Sequence, residues 1–385
     1  MYINKKLAVI GASYLQLPLV MKAKELGLEV HCFAWNEGAI CKDFADYFYP
    51  ISITEKELIL KVCKDLVVDG VCTIASDVAA PTVAYIANKM NLVGNNYDAA
   101  VTANNKYLMR KAFTISGIPC PKFIMVNSES LRTVDIYNKI QDFQYPMIVK
   151  PSDRSGSLGV TKVTTPSSLY PAIEIAIDKS FMHQAMIEEF IEGREISVEF
   201  ISYKGVHYPL QITDKVTTEA PNFVELEHHQ PSAISDDMFA TIYSVTKDAL
   251  NALGLTNGAS HAEYKITPDG RIYIIEIGGR MGGDFIGSDL VRLSTGYDFL
   301  KGVIDVSINE FKEPIKTINK CSGIYFLCKQ TEHIKSAIEN WTNYPSLVDG
   351  KIMENELREV KCSADRSGYV IYQADIKIDI NDIIH

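Results

Sequence analysis

The chain has 385 residues, a net charge of −10, 47% hydrophobic residues and 22% charged residues, the profile of an ordinary globular protein. This excludes disordered, collagen-like and low-complexity classes, and the absence of a long basic run argues against a nucleic-acid partner. At roughly 100–200 residues per domain, two or three domains are expected.

The most apolar stretches, Leu7–Met21 and Val67–Ala87, are interrupted by Gln16 and Pro18 and by Asp69 and Asp77. They read as strand–turn–helix units rather than membrane spans. Met1–Lys6 runs straight into a strand pattern, so no leader peptide and no membrane partner are expected. The eight cysteines are scattered without a C-x-x-C pair, which predicts buried small hydrophobes rather than a disulfide framework or zinc site. A cytoplasmic location follows as an expectation.

Lys6–Ala12 is an apolar run that meets Gly11, followed by a helical pattern (Leu17, Val20, Met21, Ala23, Leu26) and a second apolar run, Glu29–Phe33. This β–α–β period switch predicts a parallel sheet with helices on its faces. A helix at Glu55–Val68, a strand at Val71–Ser76 and a helix at Ala80–Asn91 extend it into a doubly wound domain over about the first hundred residues. Its first turn, Gly11-Ala-Ser-Tyr-Leu-Gln, keeps one glycine of G-x-G-x-x-G, with Ser13 and Gln16 at the other two places. A tight strand-to-helix turn is expected there rather than a dinucleotide site.

A helix over Asn104–Gly117 is closed by glycine and proline. Strands are then predicted at Phe123–Val126, Met147–Lys150, Val160–Val163 and Met186–Phe190, with helices near Ser130–Phe143 and Ser167–Lys179. Strands at Glu195–Ser202, Val206–Asp214, Ser260–Thr267 and Arg271–Ile277 follow, interrupted by a helix at Asp236–Leu253. Thr317–Gln330 and Gly368–Ile378 supply a last strand-rich module.

Three segments carry chemistry. In Tyr145-Pro-Met-Ile-Val-Lys-Pro-Ser-Asp-Arg-Ser-Gly-Ser-Leu-Gly-Val, a strand delivers Lys150 and a Ser/Gly loop follows. Such a loop can turn backbone N–H groups toward phosphate while the lysine adds charge; taken alone it also fits an ordinary hairpin. In Met186-Ile-Glu-Glu-Phe-Ile-Glu-Gly-Arg-Glu, strand backbone can pair with an adenine edge and Glu195 with ribose hydroxyls, or the glutamates are simply solvated. The third pairs Ser260-His-Ala-Glu-Tyr-Lys-Ile with Tyr273-Ile-Ile-Glu-Ile-Gly-Gly-Arg-Met-Gly-Gly-Asp across a Pro268-Asp-Gly turn. Glu263 and Glu276 can share a face of this hairpin, and adjacent carboxylates in apolar surroundings call for a cation between them. Hard oxygen ligands favour Mg²⁺ shared with substrate phosphates, and Arg280 suits a phosphate or carboxylate.

In this order and spacing, the three segments resemble the ATP-grasp superfamily over Asn104–Ile304, most of all its carboxylate–amine ligases. The resemblance implies an α/β fold in four parts. These are a doubly wound N-terminal domain (residues 1–103), a linker helix with the lid subdomain (104–186), a central subdomain with the metal site (187–310) and a small strand-rich C-terminal module (311–385). It implies ATP and one or two Mg²⁺ ions, with Mn²⁺ as a substitute, and small-molecule carboxylate and amine substrates. A homodimer is implied by analogy alone.

By the same resemblance, Lys106 and Lys150 are the nucleotide-contacting lysines, and Ser152–Val160, with Ser155, Gly156 and Ser157, is the phosphate loop. Glu188, Glu189, Phe190 and Ile191 form the adenine hinge, and Glu195 is the ribose ligand. Glu263 and Glu276 are the metal carboxylates, and Arg280 serves the γ-phosphate and the acyl phosphate. Lys215 is placed near the γ-phosphate, and Glu225, His228, Gly282 and Gly283 near the substrate; a polar loop with a solvated histidine pair is the alternative for Lys215, Glu225 and His228. Gly278 departs from the pattern Glu-x-Asn-x-Arg, which puts a second Mg²⁺ in question. The His-x-Glu of the first strand and the Arg-x-Gly-Gly-Asp ending look most like dipeptide-forming amino-acid ligases. The implied reaction is ATP-dependent carboxylate–amine ligation through an acyl phosphate, in a site expected to be locally basic despite the acidic chain. The alternatives are a carboxylase-like enzyme activating bicarbonate and a non-catalytic nucleotide binder.

Overall fold

The computed structural model describes residues 1–133, 136–154, 156, 158–218 and 222–384. Strands β1 (Lys6–Ile10), β2 (Glu29–Phe33), β3 (Tyr47–Tyr49) and β4 (Gly70–Cys72) form a parallel sheet in the order β3-β2-β1-β4. Side chains alternate across β1. Leu7 and Val9 pack with Leu19, Val20 and Ala23 of the helix Leu17–Glu25, while Ala8 and Ile10 pack with Ile59, Leu60 and Cys63 of Lys56–Leu66 and Ile86 of Ala80–Met90. Both faces are therefore covered, which is why the strand reads as a continuous apolar run.

The turn after β1 is closed by its own chain. Gln16 Oε1 accepts from the Ser13 N–H at 3.1 Å and from the Ser13 hydroxyl at 2.8 Å, and its amide nitrogen donates to the Ile74 carbonyl at 2.8 Å. Gly11 has φ +108°, and a Cβ there would meet the Gln16 carboxamide at 2.9 Å. The residue at the third fingerprint position thus packs inside the first turn.

A second sheet, in the order β5-β8-β6-β7, comprises β5 (Phe123–Asn127), β6 (Met147–Pro151), β7 (Thr161–Val163) and β8 (Gln184–Glu189). Its antiparallel pairs are covered by the helix Leu169–Lys179 through Leu169, Ala172, Ile173 and Ala176. The helix expected over Asn104–Gly117 is Lys106–Ile115, preceded across Asn105 by a further helix, Tyr97–Asn104. The Asn105 side chain caps Lys106–Ile115 by accepting from the N–H groups of Tyr107 and Leu108.

The third sheet runs across the boundary expected at residue 311. It consists of β9 (Arg194–Tyr203), β10 (Val206–Thr217), β11 (Glu225–Gln230), β12 (Gly258–Ile266), β13 (Ile272–Gly278), β14 (Cys321–Leu327), β15 (Leu347–Ile352) and β16 (Gly368–Ala374). These run in one order, β13-β12-β9-β10-β11-β14-β16-β15. β14 pairs with β11 from Glu227↔Tyr325 to Gln230↔Ser322, so the chain beyond residue 311 extends the central sheet. The helix Asp236–Leu253 covers it with Ile242, Ala249, Leu250 and Leu253; Ser235 caps its start and Gly254, at φ +71°, its end. Among the described residues, no helix is long and apolar enough to cross a membrane.

Candidate functional site

A cleft of about 430 Å³ opens where the three sheets meet, and its walls bring together residues from Tyr14 to Ser363. Lys106, Lys150, Gly156, Glu188, Glu189, Phe190, Ile191, Glu195, Lys215, Glu225, His228, Glu263, Glu276, Arg280 and Gly283 all line it. Ser155 and Ser157 lie outside the described residues. Gly282 does not line the cleft. Its N–H donates to Glu199 at 3.0 Å, and a Cβ there would strike Glu199 and His261, so it packs behind the wall.

The β12–β13 register sets Glu263 directly opposite Glu276, with a bulge immediately after Glu263. The cation expected between them is divided between two lysines. Lys215 Nζ lies 2.8 Å from Glu263, and Lys106 Nζ lies 2.7 Å from Glu276. Lys215 also lies 3.3 Å from Glu225 and 3.4 Å from Glu195. Burial alone would lower the Lys215 pKa, but Glu263, Glu225 and Glu195 together hold it well above the usual lysine value. Glu263 is held well below the usual carboxylate range because Lys215 and His261 outweigh its own burial. His261, bonded to the buried carboxylate of Glu199 on β9, is likewise carried up to about 9 against the effect of burial.

Two carboxylates side by side in a cleft wall suit Mg²⁺, which takes one or two protein carboxylates and completes its shell with water and phosphate. Among the described residues, no group of three or more His, Cys, Asp or Glu is placed to hold a metal by itself. Glu263 and Glu276 therefore fit an ion brought in with phosphate better than a resident structural ion.

Lys150 leaves the end of β6 and pairs with Glu188, a neighbour across the β6–β8 register. The opposite side of that carboxylate meets Arg110, whose Nη2 lies 3.1 Å from Glu188 Oε2. Arg110 is fully buried, and its Nε and Nη1 have no hydrogen-bond partner among the described residues. Burial would raise the Glu188 pKa, but Lys150 and then Arg110 hold it below the usual range. Lys150 is pushed down, chiefly by burial and further by the nearby Arg110 and Lys106, with Glu188 opposing. The Glu188 side chain, expected at the hinge, thus serves Lys150 and Arg110 first. Glu195, expected at the ribose, is shared between Lys215 and Lys265, the latter at 2.9 Å. Lys106 Nζ also donates to the Arg154 carbonyl at 2.9 Å, tying the helix start to the glycine loop, where Gly156 and Gly159 have positive φ.

Four contributors were not found from sequence. Asp77 holds Arg280 through two hydrogen bonds, Nε to Oδ1 at 2.8 Å and Nη2 to Oδ2 at 2.9 Å. Arg366 holds Asp284 through two more, at 3.0 and 2.7 Å, and Asp284 and Phe285 both have positive φ (51° and 65°). Arg110 had one available signal: a charged residue four positions after Lys106 on the buried face that carries Met109 and Phe113. Asp77 directly follows the strand expected at Val71–Ser76, beyond the C-terminal end of β4 (Gly70–Cys72), the side on which parallel sheets place their ligands.

The expectation of a locally basic site is also corrected. Six lysine and arginine side chains and eight aspartates and glutamates line the cleft among the described residues, because most cations there arrive paired with a carboxylate. His228 is buried on β11, and neither ring nitrogen has a hydrogen-bond partner among the described residues; it sits in a strand rather than a solvated loop. The cysteines are free, with five of them buried and Cys362 exposed at the cleft.

Residues 143–289 match the family model described as the ATP-grasp domain. Alanine–anticapsin ligase of Bacillus subtilis is 29% identical over 276 residues, 63% of this chain and 57% of that protein. D-alanine–D-alanine ligase of Thermosipho africanus is 28% identical over 191 residues, 45% of this chain and 50% of that one. The chain thus spans about half the length of these curated relatives. The crystal structure of an L-amino acid ligase from Bacillus licheniformis superposes with a TM-score of 0.80 at 21% identity, covering 100% of this chain and 97% of the other. That likeness establishes the fold over the whole chain.

Proposed function

Starting from a chain that carries an ATP-grasp domain, we propose that the protein is an ATP-dependent carboxylate–amine ligase acting on an amino acid or another small carboxylic acid. The observation that carries this reading is the pairing of Glu263 with Glu276 in a cleft that also receives Lys106, Lys150 and Arg280. The similarity to amino-acid ligases supports an amino-acid substrate.

In the proposed reaction a substrate carboxylate oxygen bonds to the γ-phosphorus of ATP and the bond to the bridging oxygen breaks, releasing ADP. The amine nitrogen then attacks the acyl carbon, phosphate leaves, and the nitrogen loses a proton. Phosphoryl transfer depends on positioning and charge neutralisation more than on covalent help from the protein. Mg²⁺, held by Glu263 and Glu276, would neutralise charge on the phosphates. Lys150 and Lys106 would offer their ammonium groups to phosphate oxygens, while Arg110 keeps Glu188 compensated when Lys150 turns away. The hinge residues Glu189, Phe190 and Ile191 would take the base, with Glu195 at the ribose. Arg280 would hold the acyl phosphate, and Glu225, His228 and Gly283 would border the acceptor. Closure of the glycine loop would keep water from the acyl phosphate.

The test is phosphate release from MgATP with amino acids, small carboxylic acids and bicarbonate added singly and in pairs. Stimulation by a carboxylate–amine pair, with ADP as product, is expected. Stimulation by bicarbonate alone would replace this reading with a carboxylase-like one, and tight ATP binding without turnover would replace it with a nucleotide binder.

A further inference from the structure

Gly278 departs from the pattern Glu-x-Asn-x-Arg, and the structure shows what occupies the space beside it. A Cβ at residue 278 would lie 2.6 Å from Asp77 Oδ1 and 3.1 Å from Arg280 Nε. Asp77 comes from the loop after β4 of the N-terminal sheet. That loop is fastened to the Arg280 segment by a second link, since the Ala75 N–H donates to the Met281 carbonyl at 3.2 Å, and Ala75 has φ +55°. Gln16 ties the same loop to the first turn through the Ile74 carbonyl.

The guanidinium of Arg280 has five N–H donors. Nε and one Nη2 hydrogen go to Asp77, and one Nη1 hydrogen goes to the Met281 carbonyl at 3.3 Å. One N–H on each terminal nitrogen is left, and Arg280 lines the cleft. A guanidinium held along one edge in this way presents its remaining donors in a fixed direction.

We propose that Asp77 is the positioning residue for Arg280, and that residue 278 is glycine because any side chain there would displace the Asp77 carboxylate. The N-terminal domain, whose first turn is filled by Gln16, thereby contributes to the reaction by aiming an arginine of the ATP-grasp domain. This inference rests on the ligase reading, and it makes position 278 and position 77 one unit.

The experiment is a double-mutant cycle on Asp77→Ala and Gly278→Ala, read as kcat, as KM for the stimulating carboxylate and as equilibrium MgATP affinity. Each single substitution is expected to lower kcat by on the order of 10–100-fold, the cost of a misdirected group, with MgATP affinity within about threefold of wild type because the nucleotide lysines are untouched. The double variant is expected to fall within about twofold of Asp77→Ala alone, since the added methyl no longer meets a carboxylate. Losses that multiply in the double variant would overturn the inference, as would an Asp77→Ala protein with wild-type kcat. Asp77→Asn, which keeps one acceptor for Arg280 Nε, guards against a folding failure and is expected to recover part of the kcat lost in Asp77→Ala; no recovery counts against the proposal. If wild-type protein releases no phosphate with any carboxylate, the ligase reading fails. The positioning inference is then decided by the same cycle read as thermal midpoints, where additive shifts would contradict it.

Discussion

Glu263 and Glu276 face each other across the β12–β13 register, yet each carboxylate is met by a lysine from a different element, Lys215 of β10 and Lys106 at the start of its helix. The arrangement keeps two adjacent anions in a cleft wall without mutual repulsion. It also leaves both within reach of an ion that arrives with phosphates, because the lysine partners can turn to those phosphates in exchange.

Substituting Glu276→Gln is expected to abolish carboxylate-stimulated phosphate release while leaving the circular dichroism spectrum and unfolding transition close to wild type. The change removes a charge but not volume, and among the described residues only Lys106 loses a salt-bridge partner. Full phosphate release by Glu276→Gln would remove this residue from the metal-holding role.

Lys215 is the shared partner of three carboxylates, so Lys215→Met leaves Glu263, Glu225 and Glu195 facing one another. A loss of about 2–4 kcal/mol is expected, below the full cost of breaking a buried pair because the carboxylates remain partly hydrated. Urea unfolding at pH 7 measures it, and a change under about 0.5 kcal/mol, typical of a surface site, would mean that Lys215 does not hold this cluster together.

Lys150→Ala should weaken MgATP binding by about 1–3 kcal/mol, the range for losing a charge-assisted hydrogen bond, measured by equilibrium titration. Arg110→Met should also weaken it, although Arg110 is sealed from the cleft. Without Arg110, Glu188 retains only Lys150, and the lysine is less free to turn to phosphate. Unchanged affinity in Arg110→Met would show that Lys150 reaches phosphate without that support.

Stability should depend on pH through His228. Burial pushes its pKa well below the ordinary 6.5, with Lys215 and Arg366 adding to the effect and Asp284 opposing it. Below about pH 6.5 the unfolded chain binds a proton that the folded chain refuses, so stability present above that pH is lost as pH falls toward the folded-state value. The contribution approaches about 1.4 kcal/mol per pH unit. His228→Gln is expected to flatten the loss between pH 7 and pH 5 by that amount in parallel urea titrations. Identical slopes would place a protonated His228 in the folded protein.

The parts of this site that were legible in the sequence are those set by local pattern. Lys150 follows from an apolar strand ended by Pro151, whereas alternation counted inward from Thr267 and Arg271 sets Glu263 opposite Ile275, and the bulge after Glu263 is what brings Glu276 to its face. The parts that were not legible depend on contacts between distant segments. Asp77 meets Arg280 across 203 positions, and Arg110 meets Glu188 across 78. The pairing of β14 with β11 was not legible either, because strand propensity records that β14 is a strand and carries nothing about its neighbour. The basic character expected of the site failed for a related reason, since counting cations cannot reveal which carboxylate neutralises each one.

The central claim is that a carboxylate oxygen attacks the γ-phosphorus. Its most direct test is incubation of the protein with MgATP, a mixture of amino acids labelled with ¹⁸O in their carboxylates and unlabelled amine acceptors, followed by mass analysis of the phosphate and nucleotide formed. One ¹⁸O atom per released phosphate, with ADP as the nucleotide product, is the predicted result. Unlabelled phosphate, or label recovered in AMP, would contradict the acyl-phosphate route.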